Sequence, residues 1–175
     1  MKKNILGILM LGIVLLATSC NSLSSTPDEK SEYQIKNESY IEDIAKNPDY
    51  TELKFLNHKD KTNVYYKVIK SSPNPDGQKP YQNSEVRIEL SGKLISGEVI
   101  QQKETMDVTI FDINSEGQPV GIIKGLQYAL QRMTSGDKWE VIIPYNLGYG
   151  SGGQGRITPY STLIFEVELM KIKKL

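Results

Sequence analysis

The fold is decided by residues 136–169, which read GDKWEVIIPYNLGYGSGGQGRITPYSTLIFEVEL. At both ends of this stretch the apolar residues fall at every second position, which is the period of a strand with one buried face. Pro144 cannot donate to a strand ladder, so the first strand ends there. Five of the residues 148–155 are glycine, so the stretch predicts a strand, a glycine-rich loop and a second strand. The predicted buried faces are Trp139, Val141 and Ile143 in the first strand, and Leu163, Phe165, Val167 and Leu169 in the second.

Upstream of this stretch the apolar spacing changes to that of a helix over residues 122–133, with a stop at Gly136. Its apolar positions are Ile122, Ile123, Leu126, Ala129, Leu130 and Met133. Further extended segments are predicted at residues 63–70, 84–94, 99–101 and 108–111. Gly92 interrupts the second of these, which indicates a bulge or a close backbone approach. This pattern, which is mostly strands with one well-marked helix, predicts an α+β fold in which an antiparallel sheet wraps around a central helix.

The order of residues in the C-terminal half resembles that of the FKBP-type peptidyl-prolyl cis–trans isomerases. The family typically has a Met-x-x-Gly turn, a strand ending in Ile-Pro, a Tyr-Gly pair, a glycine-rich loop, Ile-Pro-Pro and a Thr-Leu-x-Phe strand. The matching positions here are Met133, Gly136, Ile143-Pro144, Tyr149-Gly150, Ile157-Thr158-Pro159 and Thr162–Leu169. The resemblance covers roughly residues 63–173. It implies an FKBP-like fold, isomerase activity on proline-containing unfolded or exported polypeptides, and no cofactor.

The resemblance also implies a binding pocket with three catalytic positions. Tyr149 corresponds to the family's donor tyrosine, and Phe165 to its wall phenylalanine. The backbone N–H of Ile123 corresponds to the donor that holds a substrate carbonyl. The substrate-binding positions that the resemblance implies are Leu90, Ile100, Gln101, Phe111, Ile122, Leu126 and Ile157.

Four of these pocket positions depart from the family pattern. Leu126 stands where the family has the tryptophan of the pocket floor, Leu90 replaces a tyrosine, and Ile100-Gln101 replaces a Phe-Asp pair. The pocket would stay apolar but would lose aromatic surface and a carboxylate, so substrate affinity should fall. Three interpretations therefore stay open: an active isomerase, an FKBP-fold binding or chaperone module without efficient turnover, and an accessory lipoprotein that uses the fold as a scaffold.

Other kinds of site find little support in the sequence. His58 is the single histidine and Cys20 the single cysteine, so a site built from His and Cys ligands, such as a zinc site, is not expected. The Gly148-x-Gly150-x-x-Gly153 pattern matches a dinucleotide fingerprint only in its letters, because a strand rather than a helix is predicted to follow. Glu166 and Glu168 alternate with apolar residues and are interpreted as a solvated strand face.

The N-terminus carries the pattern of a secretion signal. Lys2 and Lys3 precede an apolar run over residues 5–17, which is shorter than the ~20 residues of a membrane span. Leu16-Ala17-Thr18-Ser19-Cys20 looks like a bacterial lipobox, in which Cys20 is lipidated and becomes the new N-terminus. The alternative is an ordinary signal peptide with an incidental cysteine. The lipobox predicts a lipid-anchored protein of the cell envelope, facing the periplasm or the surface at the outer membrane.

Cleavage before Cys20 would leave 19 basic and 21 acidic residues, because residues 1–19 carry two lysines and no acid. The resulting net charge of −2 gives no indication of nucleic-acid binding. The predicted organisation is a signal peptide over 1–19, a lipidated tether over 20–30, a helical extension over 31–61 and an FKBP-like domain over 62–175. Apolar residues at helical spacing predict a helix over 32–46, which either packs on its own domain or forms a homodimer contact.

Overall fold

The computed structural model describes residues 30–54, 63–116 and 119–174. The helices are α1 (Glu32–Lys46) and α2 (Lys124–Leu130), with one 3-10 turn at Tyr145–Leu147. The strands are β1 (Thr51–Glu52), β2 (Tyr65–Lys70), β3 (Glu85–Leu94), β4 (Val99–Thr109), β5 (Phe111–Ile113), β6 (Pro119–Gly121), β7 (Lys138–Ile143) and β8 (Leu163–Lys174). Six strands form an antiparallel sheet in the order β1-β2-β7-β8-β3-β4, and β5 pairs separately with β6.

The two strands of the deciding stretch lie side by side at the centre of the sheet. Val141 of β7 is opposite Phe165 of β8, and Trp139 is opposite Val167. The predicted alternation is confirmed, since all seven residues of the two predicted faces belong to one buried core. Trp139 also stacks on Tyr66 of β2, with ring centroids 4.2 Å apart. This α+β architecture, with strands around a central helix, confirms the predicted fold class.

The central helix is shorter than predicted and covers the core face of the sheet. The backbone at Ile123 is still extended, with φ −57° and ψ 149°, so α2 begins only at Lys124. At the other end α2 finishes at Leu130, before the predicted stop at Gly136. Gly136 instead lies beyond the helix with φ +100°, and its N–H donates to the carbonyl of Leu169 at 2.7 Å. The apolar spacing from 122 to 133 therefore reflects burial of the segments on both sides of the helix as well as burial of the helix itself.

Strand β4 corrects the prediction of two short extended pieces at 99–101 and 108–111. It runs unbroken over residues 99–109 along the edge of the sheet and pairs with β3. The prediction was wrong because residues 101–105 are polar and one edge of the strand faces solvent, which hides the apolar alternation. Asp107 of β4 accepts hydrogen bonds from the Arg87 guanidinium of β3 at 2.8 Å and from the Lys173 ammonium of β8 at 3.0 Å, and these two cations hold the pKa of Asp107 well below its usual range.

Gly92 of β3 lies at an irregularity in the strand pairing and also at a close approach to a neighbouring strand, the two features that a glycine within a strand indicates. The register of β3 against β4 shifts on either side of it. A Cβ atom at Gly92 would lie 2.4 Å from Cε1 of the Phe165 ring. The missing side chain therefore makes room for the phenylalanine ring on the adjacent strand.

Helix α1 packs on the opposite face of the sheet from α2. Ile41 and Ile44 form a second buried cluster with Tyr65, Ile142 and Ile164. The predicted helix over 32–46 is confirmed, as is its packing against its own sheet. Ser31 caps the helix by accepting a hydrogen bond from the N–H of Gln34 at 3.1 Å.

Asn37 is the polar link between α1 and the sheet. It is fully buried, its Oδ1 accepts the N–H of Thr162 at 2.7 Å, and its Nδ2 donates to the carbonyl of Tyr33 at 2.8 Å. The Thr162 hydroxyl donates to the backbone carbonyl of Asn37 at 3.2 Å. These bonds satisfy the backbone at the residue that leads into β8.

We expect Asn37→Ala to lower the free energy of unfolding by about 1–3 kcal/mol, because a buried N–H of Thr162 would lose its acceptor. Urea unfolding followed by far-UV circular dichroism measures this change. Asn47→Ala, at the exposed end of the same helix, is the matched control and should change stability much less. Equal effects of the two substitutions would contradict the role given to Asn37.

Candidate functional site

A cleft of about 460 Å³ opens on the core face of the sheet, between the N-terminal end of α2, strand β4 and the glycine-rich loop. Most of its wall is apolar, and few polar side chains reach it. Its lining residues are Leu90, Ile100, Gln101, Met106, Gly121, Ile122, Ile123, Leu126, Tyr149, Gln154, Ile157 and Phe165. A concave, largely apolar surface with a few convergent polar groups is the usual form of a ligand site.

The floor of the cleft is the surface of the hydrophobic core. Leu90, Leu126 and Phe165 line the cleft and are only 6%, 2% and 4% exposed. Each comes from a different element, namely β3, α2 and β8. Because these elements pack tightly against one another, the floor is preorganised and cannot adapt its shape easily.

A backbone N–H is presented at the rim of the cleft by the peptide between Ile122 and Ile123. The Nε2 of Gln127 donates to the carbonyl of Ile122 at 2.7 Å. This peptide is trans, so the N–H of Ile123 points away from the carbonyl that Gln127 holds. No acceptor among the described residues takes that N–H. It is therefore free to donate to a ligand.

Tyr149 supplies a hydroxyl group to the lining of the cleft. Burial raises the pKa of this hydroxyl above its ordinary value, so it stays protonated at neutral pH and can donate a hydrogen bond. No acceptor for it is present among the described residues.

The loop that carries Tyr149 is held by its own backbone. The N–H of Gly150 donates to the carbonyl of Tyr145 at 2.8 Å, and the N–H of Tyr160 to the carbonyl of Gly150 at 3.1 Å. The rings of Tyr145 and Tyr160 also meet edge to face, with centroids 5.0 Å apart. The glycine-rich segment is thus a folded loop that presents Tyr149 and Ile157 to the cleft.

Nine of the ten site residues expected from the sequence lie around this one cleft, although their roles in binding or catalysis stay predictions. The exception is Phe111, which lines a neighbouring groove. Sequence reasoning missed Gly121, Met106 and Gln154. Met106 is partly buried against the core from β4, and recognising β4 as one continuous strand would have placed it there.

Metal chemistry finds no support in the part of the chain that the structure describes, where no three His, Cys, Asp or Glu side chains come together. Cys20 and His58 lie outside the described residues. No helix within 30–54, 63–116 and 119–174 has both the length and the hydropathy needed to cross a membrane.

The family model described as FKBP-type peptidyl-prolyl cis-trans isomerase matches residues 76–170, more than half of the chain. This chain belongs to the FKBP family. The match includes every residue that lines the cleft, from Leu90 to Phe165. The resemblance found in the sequence is therefore confirmed at the level of the family.

Named relatives of this FKBP chain include bacterial proteins. It is 38% identical over 118 residues to the peptidyl-prolyl cis-trans isomerase Mip of Coxiella burnetii, covering 63% of this chain and 45% of that one. It is 34% identical over 113 residues to the outer membrane protein MIP of Legionella longbeachae, again covering 63% and 45%. The chain thus spans less than half the length of these curated relatives.

A solved structure shares the fold of this FKBP chain over most of its length. The peptidyl-prolyl cis-trans isomerase of Pseudomonas syringae pv. tomato superimposes with a TM-score of 0.64 at 26% sequence identity. The superposition covers 84% of this chain and 98% of the other.

Proposed function

We propose that this protein is a peptidyl-prolyl cis–trans isomerase that acts on proline-containing, unfolded or exported polypeptides. The observation that carries this proposal is the convergence of an apolar floor, a free backbone N–H and a protonated tyrosine hydroxyl around one cleft. These groups are what prolyl isomerisation requires, because the reaction makes and breaks no covalent bond.

The barrier to rotation about a peptide bond is about 18–20 kcal/mol and arises from lost amide resonance. In the twisted transition state the amide is less zwitterionic than in the planar ground state. A cleft that excludes water therefore favours the twisted form, provided that donors hold the flanking carbonyls in place. We assign the apolar walls to the proline ring and the two donors to the carbonyl groups of the substrate.

Within this proposal, Phe165, Leu126 and Leu90 form the surface beneath the proline ring. The N–H of Ile123 and the hydroxyl of Tyr149 donate to substrate carbonyls. Ile122 and Ile157, with Ile100 and Gln101 of β4, close the sides. No metal or cofactor takes part in this scheme.

The proposal is tested by isomerisation of a short X-Pro peptide, followed by NMR exchange or by a protease-coupled assay. We expect Tyr149→Phe to lower kcat/KM about three- to tenfold, which corresponds to one lost hydrogen bond of about 0.5–1.5 kcal/mol. Tyr160→Phe removes a hydroxyl from the same loop outside the cleft and is the matched control. A wild-type rate no higher than the uncatalysed rate would refute the proposal.

A second candidate function is a binding or chaperone module with weak or no turnover. It is favoured by Leu126, whose side chain forms the cleft floor where the family pattern has a tryptophan. A leucine buries less area against a proline ring than an aromatic ring does. This alternative predicts that the purified protein suppresses aggregation of an unfolded client without accelerating isomerisation of that client.

We further propose that the mature protein is tethered to the bacterial envelope through a lipid on Cys20. The chain then divides into a signal peptide over 1–19, a lipidated tether over 20–30, a helical extension over 31–61 and an FKBP-like domain over 62–175. Support comes from the Leu16–Cys20 sequence and from a relative named as an outer membrane protein. Acyl chains contribute about 0.8 kcal/mol of membrane affinity per buried CH₂. The anchor is tested by incorporation of a labelled fatty acid, and incorporation that persists in Cys20→Ser would refute it.

Proteolysis of intact cells tests which side of the membrane the protein occupies. Cleavage by an added protease would indicate a surface-exposed accessory role, and protection would indicate a periplasmic location.

A homodimer through α1 would have to use the outward face of that helix. Its inward residues Ile41 and Ile44 already contact the sheet, and the outward face presents Ile35 at 53% exposure. Sedimentation equilibrium of wild type and Ile35→Glu distinguishes the states, since a dimer held by this face would dissociate in the variant.

A further inference from the structure

A second groove, which we call the flanking groove, continues from the cleft across the Ile122–Ile123 segment. Gly121, Ile122, Ile123 and Tyr149 line both. The flanking groove has a volume of about 420 Å³. Its own lining residues are Phe111, Lys124, Gln127, Asn146, Gly148 and Gly150.

The two grooves meet at the donors assigned to the substrate backbone. A polypeptide held by the N–H of Ile123 and the hydroxyl of Tyr149 continues past the prolyl bond in both directions. Because the two grooves share these lining residues, a polypeptide that leaves the cleft across the shared wall enters the flanking groove. The side chain of a residue close to the proline is therefore the natural occupant of that groove.

The chemistry of the flanking groove favours a carboxylate. Lys124 is exposed and supplies an ammonium group, and no Asp or Glu occurs among the lining residues that the structure describes. Phe111 is partly exposed at the groove and offers an apolar surface to the methylenes of a long side chain. Asn146 adds an exposed amide.

We propose that the flanking groove is a specificity subsite that selects substrates with an acidic residue near the proline, with Lys124 as the residue that discriminates charge. This inference rests on the proposed isomerase function and specifies its substrate class. The attraction is between partly solvated charges, so it is modest and weakens as salt rises.

The test compares peptides that differ only in Glu, Gln or Lys at one position, placed before the proline in one series and after it in another. In the series whose variable residue lies in the flanking groove, we expect wild-type kcat/KM at low salt to be about three- to tenfold higher for the Glu peptide than for the Lys peptide. Lys124→Glu should reverse that ratio. Lys171→Glu, which changes the charge of an exposed residue on β8 outside both grooves, should preserve it.

A Glu-to-Lys ratio that is the same in wild type and Lys124→Glu would overturn the subsite while leaving isomerase activity established. A wild type that isomerises none of the peptides would refute the proposed function instead. In that case the binding of labelled Glu and Lys peptides, measured by fluorescence anisotropy, tests whether the subsite selects the acidic peptide. Glu peptides that bind no more tightly than Lys peptides would then overturn it, and tighter binding that is lost in Lys124→Glu would support it.

Discussion

Replacing Ile123 with proline is expected to leave the chain folded and to lower kcat/KM for prolyl isomerisation about ten- to a hundredfold. The backbone of Ile123 has φ −57°, close to the angle that a proline ring imposes. The residue precedes the first turn of α2, so its N–H takes no part in the helix. Proline therefore removes one donor from the cleft at a position where the fold does not use that donor.

The expected loss corresponds to about 1.4–2.8 kcal/mol of transition-state stabilisation, which is the range for a hydrogen bond made in a site sheltered from water. Ile123→Val is the matched control, because it trims the side chain and retains the N–H. Circular dichroism and thermal unfolding check that both variants are folded. If the proline variant keeps the activity of the valine variant, the N–H of Ile123 is not a catalytic donor.

Gly92→Ala is expected to lower the free energy of unfolding by about 1–3 kcal/mol and to reduce kcat/KM by more than about tenfold. An alanine in a strand normally gains about 0.5–1 kcal/mol over glycine. Here the new methyl group would lie 2.4–3.2 Å from three atoms of the Phe165 ring. The ring is only 4% exposed, so the space left to it is the cleft itself, and moving there would block the substrate.

Gly152→Ala is the control for this substitution, because a Cβ there meets nothing within 4 Å. Urea unfolding measures the stability of both variants, and the peptide assay measures their activity. A Gly92→Ala variant as stable and as active as Gly152→Ala would show that the ring of Phe165 is free to move without filling the cleft.

The strands at the centre of the sheet could be predicted from the sequence because one face of each strand packs against the main core. This face is buried in β7 and, as far as Leu169, in β8, so apolar residues recur there at every second position. The edge strand β4 lacked this signal, since its polar residues 102–105 are exposed to solvent. Its continuity depends on pairing with β3, which no local pattern reveals.

The candidate site could be predicted in part for a related reason. Phe165, Leu126 and Leu90 belong to the core pattern and to the cleft floor at once, so their apolar character was visible in the sequence. The orientation of the Ile123 N–H was not visible, because it depends on the hydrogen bond from Gln127 to Ile122. The position of Phe111 also depended on the fold, since β5 and β6 pair outside the main sheet and place it at the flanking groove.

By itself the sequence determined the central strands, the presence of α1 and the family, because each depends on residue order and on the period of apolar side chains. Only the tertiary structure decided the length of α2, the continuity of β4 and the junction of the cleft with the flanking groove. The reason is physical: periodicity records which side chains avoid water, whereas a groove is formed by residues far apart in the chain that packing brings together.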